Sequence, residues 1–542
     1  MARREGKHGA APAKGGRRGW VAAALLVALF GLVAWIRGGE PLGVDQGLFA
    51  CFGRWVPDGW LPYRDIWDSK PPLILYTYPL AFTLLGRSVA ALWAFESLWL
   101  LATAFLAARA ARRALGVAEA WIAPVLLVVG TWAPGFGAYE ARAQAEEFLA
   151  IFLLGAFLLL LPRDGEDGPV RPGPGRVFLA GLLTGLATLY KVPAAVVLPA
   201  WAAGLADRRA PGRTARDVVL LAAGTALPWA LAAGWFAAHG ALHDMVEAAF
   251  LYNRVYARVL GEGLSLVSIA GAMVAQLFRA LPMVSLAGVV GLVAVLARRR
   301  SAAAFLAGWF LLAAVAVVLE RQLAGYHFLL VVPPLALLAA HGLAMIGRTL
   351  REPGRARAAA ALAALALLVA AGWGGIAWLR AYRADALFRV GGLDERAYLR
   401  GFYSSQFTAL EQRALADAVR RRTRPGEGIL VWGLEPGLYF LADRHPTTRY
   451  PFHHLLLTEA PLSRAFPGLA ERRRRFLERL RRDPPALVLV GRDDVSFFEP
   501  FDSMTQLLRF EELRAFVFGH YRRAGRVGHF VLFERNQEGG SR

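Results

Sequence analysis

The sequence predicts a polytopic α-helical membrane protein with a small C-terminal α/β extracytoplasmic domain, and three observations lead there. Of 542 residues 56% are apolar and the mean hydropathy is +0.40, more than a soluble chain of this length needs to fill a core. About eleven apolar runs approach the length a helix needs to cross a bilayer. The net charge of +21 sits in short basic clusters between those runs. That is the pattern of cytoplasmic loops, and it argues against a nucleic-acid-binding face.

A basic tail, residues 1–19 with Arg3, Arg4, Lys7, Lys14, Arg17 and Arg18, precedes the first run at 20–36. This run lacks a small-x-small cleavage site and reads as a retained anchor, not a signal peptide. Further spans are expected at 88–108, 118–133, 148–161, 177–190, 193–206, 218–237, 281–297, 302–319, 328–346 and 358–379. With the amino terminus inside, the cytoplasmic loops are 109–113, 163–176, 207–216, 298–300 and 347–357, and each is rich in arginine. The alternation holds only if 71–86 lies at the outer surface without crossing and 177–206 is a hairpin bent near Lys191 and Pro193. The membrane region is therefore 20–379, and residues 380–542 form an outer domain, periplasmic in a bacterium. Apolar strands are expected there at 428–432, 486–490 and 530–533, and amphipathic helices at 406–422 and 468–482. The single cysteine, Cys51, excludes an internal disulfide and a cysteine-based metal cluster.

The chemistry-bearing residues collect on the outer side. In the first outer loop, 38–87, Asp45 follows the first span closely, where its charge is only partly hydrated. Such a carboxylate can act as a general base or hold a cation; equally, it can sit at a helix end bonded to backbone N–H groups. The same loop carries Tyr63, Arg64, Asp65, Asp68 and Lys70, the last fixed by Pro71 and Pro72. A lysine there can meet a lipid-linked phosphate or merely snorkel to the headgroups, and the surrounding charges favour a site. Glu146 and Glu147 open the fourth span, where the helix macrodipole alone would favour them. Lys191, deep in apolar sequence, needs an anion. Later outer loops add Arg254, Tyr256, Glu320, Arg321, Tyr326 and His327. No phosphate-binding P-loop and no HExxH helix occurs, which disfavours a nucleotide-driven pump.

These residues resemble the motifs of the GT-C superfamily of membrane glycosyltransferases, in the branch of protein O-mannosyltransferases and lipid A aminoarabinose transferases. The motifs are Asp45-Gln46-Gly47, the run from Tyr63 through Lys70-Pro71-Pro72-Leu73, Gln144-Ala145-Glu146-Glu147, Gly185 to Lys191, and Gly325-Tyr326-His327-Phe328-Leu329 with Pro333-Pro334. The resemblance implies a GT-C type fold and an inverting transfer of a sugar from a polyprenyl-phosphate donor. The acceptor is a glycan, lipid or protein hydroxyl at the outer face of the bacterial inner membrane. It implies Asp45 as general base, Lys70, Lys191 and Arg64 on the donor phosphate, and Glu146 or Glu147 as a second acidic site. Tyr63, Asp65, Asp68, Arg254, Tyr256, Arg321 and His327 would line the substrate cavity. Relatives often carry Asp-Glu at the first motif; Gln46 stands at the second position here. No metal is expected, although a divalent cation is the one cofactor the pattern leaves open. The rival readings are a transporter or flippase for a lipid-linked precursor and a non-catalytic GT-C relative. The first calls for internal repeats and mid-membrane charges, which the sequence does not show.

Overall fold

The computed structural model describes residues 15–165, 168–297, 301–321, 324–404, 406–496 and 499–536. The first fourteen residues of the basic tail and the arginines of 298–300 lie outside them. The membrane region begins with α1 (Gly15–Arg37), α2 (Val44–Trp55), α3 (Pro72–Leu85), α4 (Val89–Ala114), α5 (Val117–Thr131) and α6 (Ala145–Leu160). It continues with α7 (Pro174–Tyr190), α8 (Leu198–Leu205), α9 (Pro211–Ala238), α10 (Leu242–Val246) and α11 (Asn253–Leu260). It ends with α12 (Leu266–Ala280), α13 (Pro282–Ala297), α14 (Ser301–Leu319), α15 (Val332–Thr349) and α16 (Arg355–Ala381).

Every interval expected to span is helical, within a few residues at its ends. By length and composition, four helices can each cross a bilayer alone: α1, α4, α9 and α16. The remaining apolar helices are shorter, and α12 with α13 forms a pair bent by 116°. Outward faces are apolar: α16 leaves Leu362, Leu368, Trp373 and Leu379 exposed. Water would penalise such a surface, whereas lipid accepts it, so the chain is an integral membrane protein. Helices α13 and α15 cross so closely that Gly291 abuts the Leu338 carbonyl and Gly342 abuts that of Ala287, leaving no room for a Cβ.

Two segments hold helices that the sequence reading did not place, and a third keeps its expected bend. The first outer loop is not open chain but holds α2 and α3, which are too short to register as spans. The outer segment before α13 contains α10, a π-helical turn at Glu247–Tyr252, α11 and α12. The hairpin at Lys191 is present: extended backbone there ends α7, Pro193 opens a 3₁₀ turn, and the chain returns so that Trp201 Nε1 donates to Thr184 Oγ1 at 3.2 Å.

The C-terminal domain is built on a four-stranded sheet ordered Ile429–Trp432, Leu487–Gly491, Phe530–Arg535, Tyr521–Val527. The first pair is parallel and the others antiparallel. The strands expected from apolar runs are the three central to its core. The missed one, Tyr521–Val527, is a partly exposed edge whose Arg522, Arg523 and Arg526 conceal any alternation. The expected helices appear as Ala409–Arg422, opened by a Thr408–Glu411 capping box, and Leu469–Arg482.

This domain is seated on α2 and the loop that follows it. Gly47 lies against Gly437, Cys51 Sγ donates to the Pro436 carbonyl at 3.0 Å, and Phe82 stacks on Phe440 with ring centroids 5.2 Å apart. Arg449 pairs with Asp244 at 2.9 Å, while its carbonyl accepts from Trp67 N at 2.7 Å. A side chain at Gly47 would force the domain away. Gly47→Val is therefore expected to expose the buried Cys51 thiol to maleimide in the folded protein, whereas wild-type resistance to alkylation in that variant would contradict the seating.

Candidate active site

Asp45 lies in the first turn of α2, half-buried, and no hydrogen bond or ion pair engages its carboxylate among the described residues. The helix-end role is therefore not the one it plays: the N-cap is Gly43, without a side-chain cap. The Asp45 charge is felt at Asp68, Lys70, Glu140, Tyr256 and Tyr326, so these groups lie in the space around it.

Lys70 faces that space from the start of α3. Its backbone is held on both sides: the Tyr63 hydroxyl donates to the Lys70 carbonyl at 2.8 Å and Asn253 Nδ2 donates to that of Ser69 at 2.6 Å. Tyr63 is buried with φ +69, a left-handed conformation disfavoured for an aromatic residue and maintained here by its surroundings. The Lys70 ammonium lies 5.5 Å from the Tyr326 ring centroid, and no carboxylate pairs with it among the described residues. Asp68, buried alongside, accepts from Ser69 N at 2.5 Å and Lys70 N at 3.4 Å. Burial pushes its carboxyl up to about 7; the Lys70 ammonium opposes the rise and the Asp45 charge adds to it.

On a second wall, Lys191 Nζ pairs with Glu146 and, at 2.7 Å, with Glu320. His327 Nδ1 lies 3.1 Å from Glu320, and its Nε2 lies 3.9 Å from Glu146. Lys191, expected to hold a phosphate, is thus committed to two carboxylates. Of Glu146 and Glu147, the alternatives for a second acidic site, it is Glu146 that lies on this wall. Glu147 turns the other way, accepting from Ala143 N at 2.8 Å.

Behind these walls lies a charge network that the sequence reading missed. Arg142, almost fully buried, pairs with Glu40 and with Glu96, each at 2.7 Å, and its guanidinium lies 4.2 Å from the Trp93 ring centroid. Arg37 also pairs with Glu40, at 3.0 Å, and Trp132 Nε1 donates to Glu96 at 2.8 Å. The available signal was Glu96 itself, one carboxylate inside the otherwise apolar first half of α4. Gln46 Nε2 lies 2.9 Å from each of the Tyr139, Glu140 and Arg142 carbonyls.

Other expected site residues lie elsewhere or face outward. Arg64 is exposed, pairing with Asp65 at 2.9 Å and donating to the His239 carbonyl at 3.3 Å, so the structure does not bring it to Lys70. Asp65 braces the loop by accepting from Leu61 N at 2.7 Å. Arg321, at φ +55, donates to the Gly261 carbonyl at 3.1 Å, and Arg254 is exposed on α11. Tyr256 joins the space, its ring 5.8 Å from that of Tyr252. Among the described residues, no group of three or more His, Cys, Asp or Glu side chains is arranged to hold a metal ion. Immediately beyond Lys70, an apolar groove of about 250 Å³ runs between α3, α7 and α9, lined by Pro72, Leu73, Tyr76, Leu189, Trp235 and Phe236.

No known family profile matches this sequence, and no curated protein does. Among solved structures, ArnT from Cupriavidus metallidurans in the apo state matches with a TM-score of 0.55 at 15% identity, over 95% of this chain and 98% of that one. The same protein bound to undecaprenyl phosphate matches with a TM-score of 0.51 at 16% identity, over 95% and 98%. The likeness is one of fold: this chain is folded like ArnT over nearly its whole length.

Removing Arg142 would leave Glu40 and Glu96 buried without a counter-charge. Arg142→Ala is expected to destabilise the protein by about 3–5 kcal/mol, read as a lowered melting temperature in detergent. A melting temperature equal to wild type would show that the network carries no structural weight.

Proposed function

We propose, from the GT-C fold, that this chain is an inverting glycosyltransferase that moves a sugar from a polyprenyl-phosphate donor to an acceptor hydroxyl at the outer face of the membrane. One observation carries the reading: among the described residues an unpaired carboxylate, Asp45, and an ammonium without a carboxylate partner, Lys70, lie near enough to feel each other's charge, and the lining of an apolar groove begins two residues after Lys70, at Pro72. The undecaprenyl phosphate bound to the similarly folded ArnT supports a lipid phosphate as the group that enters.

In this reaction the lipid tail lies in the groove and the phosphate rests against Lys70 as a compact counter-charge. Asp45 takes the proton of the acceptor hydroxyl. The freed oxygen attacks the anomeric carbon from the face opposite the phosphate, and the carbon–oxygen bond to phosphate breaks with its electron pair leaving on phosphate. Charge accumulates on the leaving phosphate in the transition state, and Lys70 meets it there. Lys191 does not serve as a second free cation. It neutralises Glu146 and Glu320, which would otherwise repel an anionic donor from the same cavity.

The arginine-rich loops support a cytoplasmic amino terminus and an outer position for residues 380–542; in that arrangement the domain seated on α2 covers the site from the outer side.

Asp45→Asn in proteoliposomes, supplied with undecaprenyl-phosphate-linked hexoses and pentoses, is expected to lose about 10²–10⁴-fold in transfer rate while still binding donor. Undiminished transfer would eliminate Asp45 as the base. Lys70→Met is expected to weaken donor binding by about 10- to 100-fold, the loss of a charged hydrogen bond; unchanged donor affinity would remove Lys70 from the phosphate. The reaction should also depend on pH. Below about 7 Asp68 is neutral and Lys70 acts uncompensated; above it the ionised Asp68 offsets Lys70. A phosphodiester donor keeps its charge across this range, so its KM should rise as the pH passes upward through that value. Asp68→Asn should abolish the rise. A KM that is flat with pH in the wild type would contradict the assignment.

A further inference from the structure

The second position of the Asp45-Gln46-Gly47 motif has a role that an acid could not fill. Gln46 is fully buried, and its side-chain Nε2 lies 2.9 Å from three backbone carbonyls, those of Tyr139, Glu140 and Arg142. Two N–H groups shared among three acceptors fix the orientation of the amide, since the opposite orientation would press its oxygen against three carbonyl oxygens. The carbonyl oxygen Oε1 instead lies against Gly43, where a Cβ would approach it to 2.6 Å.

The segment so held is short and strained. Ala138 and Ala143, at φ +50 and +52, flank it, and Arg142 within it is anchored by Glu40 and Glu96. The segment leads directly into α6, whose first turn carries Glu146. Gln46 therefore joins the helix turn bearing Asp45 to the segment that sets Glu146, Lys191 and Glu320. Asp45 itself has no partner among the described residues to hold its position.

We propose that Gln46 is a positioning residue that registers Asp45 against the Glu146–Lys191 wall by donating to the 139–142 carbonyls. The proposal rests on Asp45 as the base. A glutamate at this position would set a carboxylate oxygen against three carbonyl oxygens. Only when protonated can it donate, and then only one hydrogen. The motif of this chain is thus a hydrogen-bond clamp in place of a second acid.

The test uses the full chain in proteoliposomes with the undecaprenyl-phosphate-linked sugar that the wild type turns over. Gln46→Ala and Gln46→Glu are expected to lower kcat by about 10- to 100-fold, the effect of misplacing a catalytic group, with donor KM unchanged. The Gln46→Glu deficit should shrink as the pH is lowered, because protonation restores a donor, while the Gln46→Ala deficit should not. Hydrogen exchange across residues 139–147 reads the clamp without any activity and should quicken in both variants. Unchanged exchange there, wild-type kcat in either variant, or a Gln46→Glu deficit that is the same at every pH would overturn the proposal. If Asp45→Asn transfers sugar normally, the assignment of the base fails by itself, and the exchange result still decides whether Gln46 is a clamp.

Discussion

The end of the helix bundle that carries the site depends on the placement of one guanidinium. Arg142 is enclosed with Glu40 and Glu96, and through them it ties the end of α1, the first half of α4 and the approach to α6 into one unit. Buried ion pairs add little net stability because desolvation offsets most of the attraction. Their value lies in geometry. A charge with two partners at 2.7 Å cannot slide by a helical turn without leaving a carboxylate unpaired in an apolar interior. Apolar packing, which fills most of the rest of the bundle, tolerates small shifts far better.

Upon that unit the site separates its two lysines. Lys191 is closed into a cluster with Glu146, Glu320 and His327, so its charge is spent within the protein. Among the described residues, Lys70 is held through its backbone and by the face of Tyr326. A lipid phosphate reaching Lys70 would therefore meet an ammonium with no carboxylate partner among the described residues. The C-terminal domain seats on α2, where Asp45 is left unpaired among the described residues, Gln46 binds the backbone before α6 and Gly47 meets the domain.

Much of this was legible in the sequence, and the missing parts share a physical cause. Hydropathy located the apolar helices, and apolar runs located the core strands, because burial in lipid or in a sheet demands long or regular patterns. Helices α2 and α12 carry polar residues, Gln46 and Arg54, Gln276 and Arg279, that interrupt such a run. The division of labour between Glu146 and Glu147 could not be read from adjacency, since successive residues of a helix point about 100° apart. The neutralisation of Lys191 depends on Glu320, which lies far along the chain, and nothing local announces that contact. Arg64 illustrates the converse: sequence proximity to Lys70 suggested a shared ligand, but its neighbour Asp65 engages it first.

The central claim is the asymmetry between Lys70 and Lys191, and the most direct measurement is a cryo-electron-microscopy structure of the full chain with undecaprenyl phosphate. The account predicts the phosphate against the Lys70 ammonium, the tail along Leu73, Tyr76 and Trp235, and Lys191 still paired with Glu146 and Glu320. A phosphate bound by Lys191, with either glutamate displaced and Lys70 uninvolved, would contradict it.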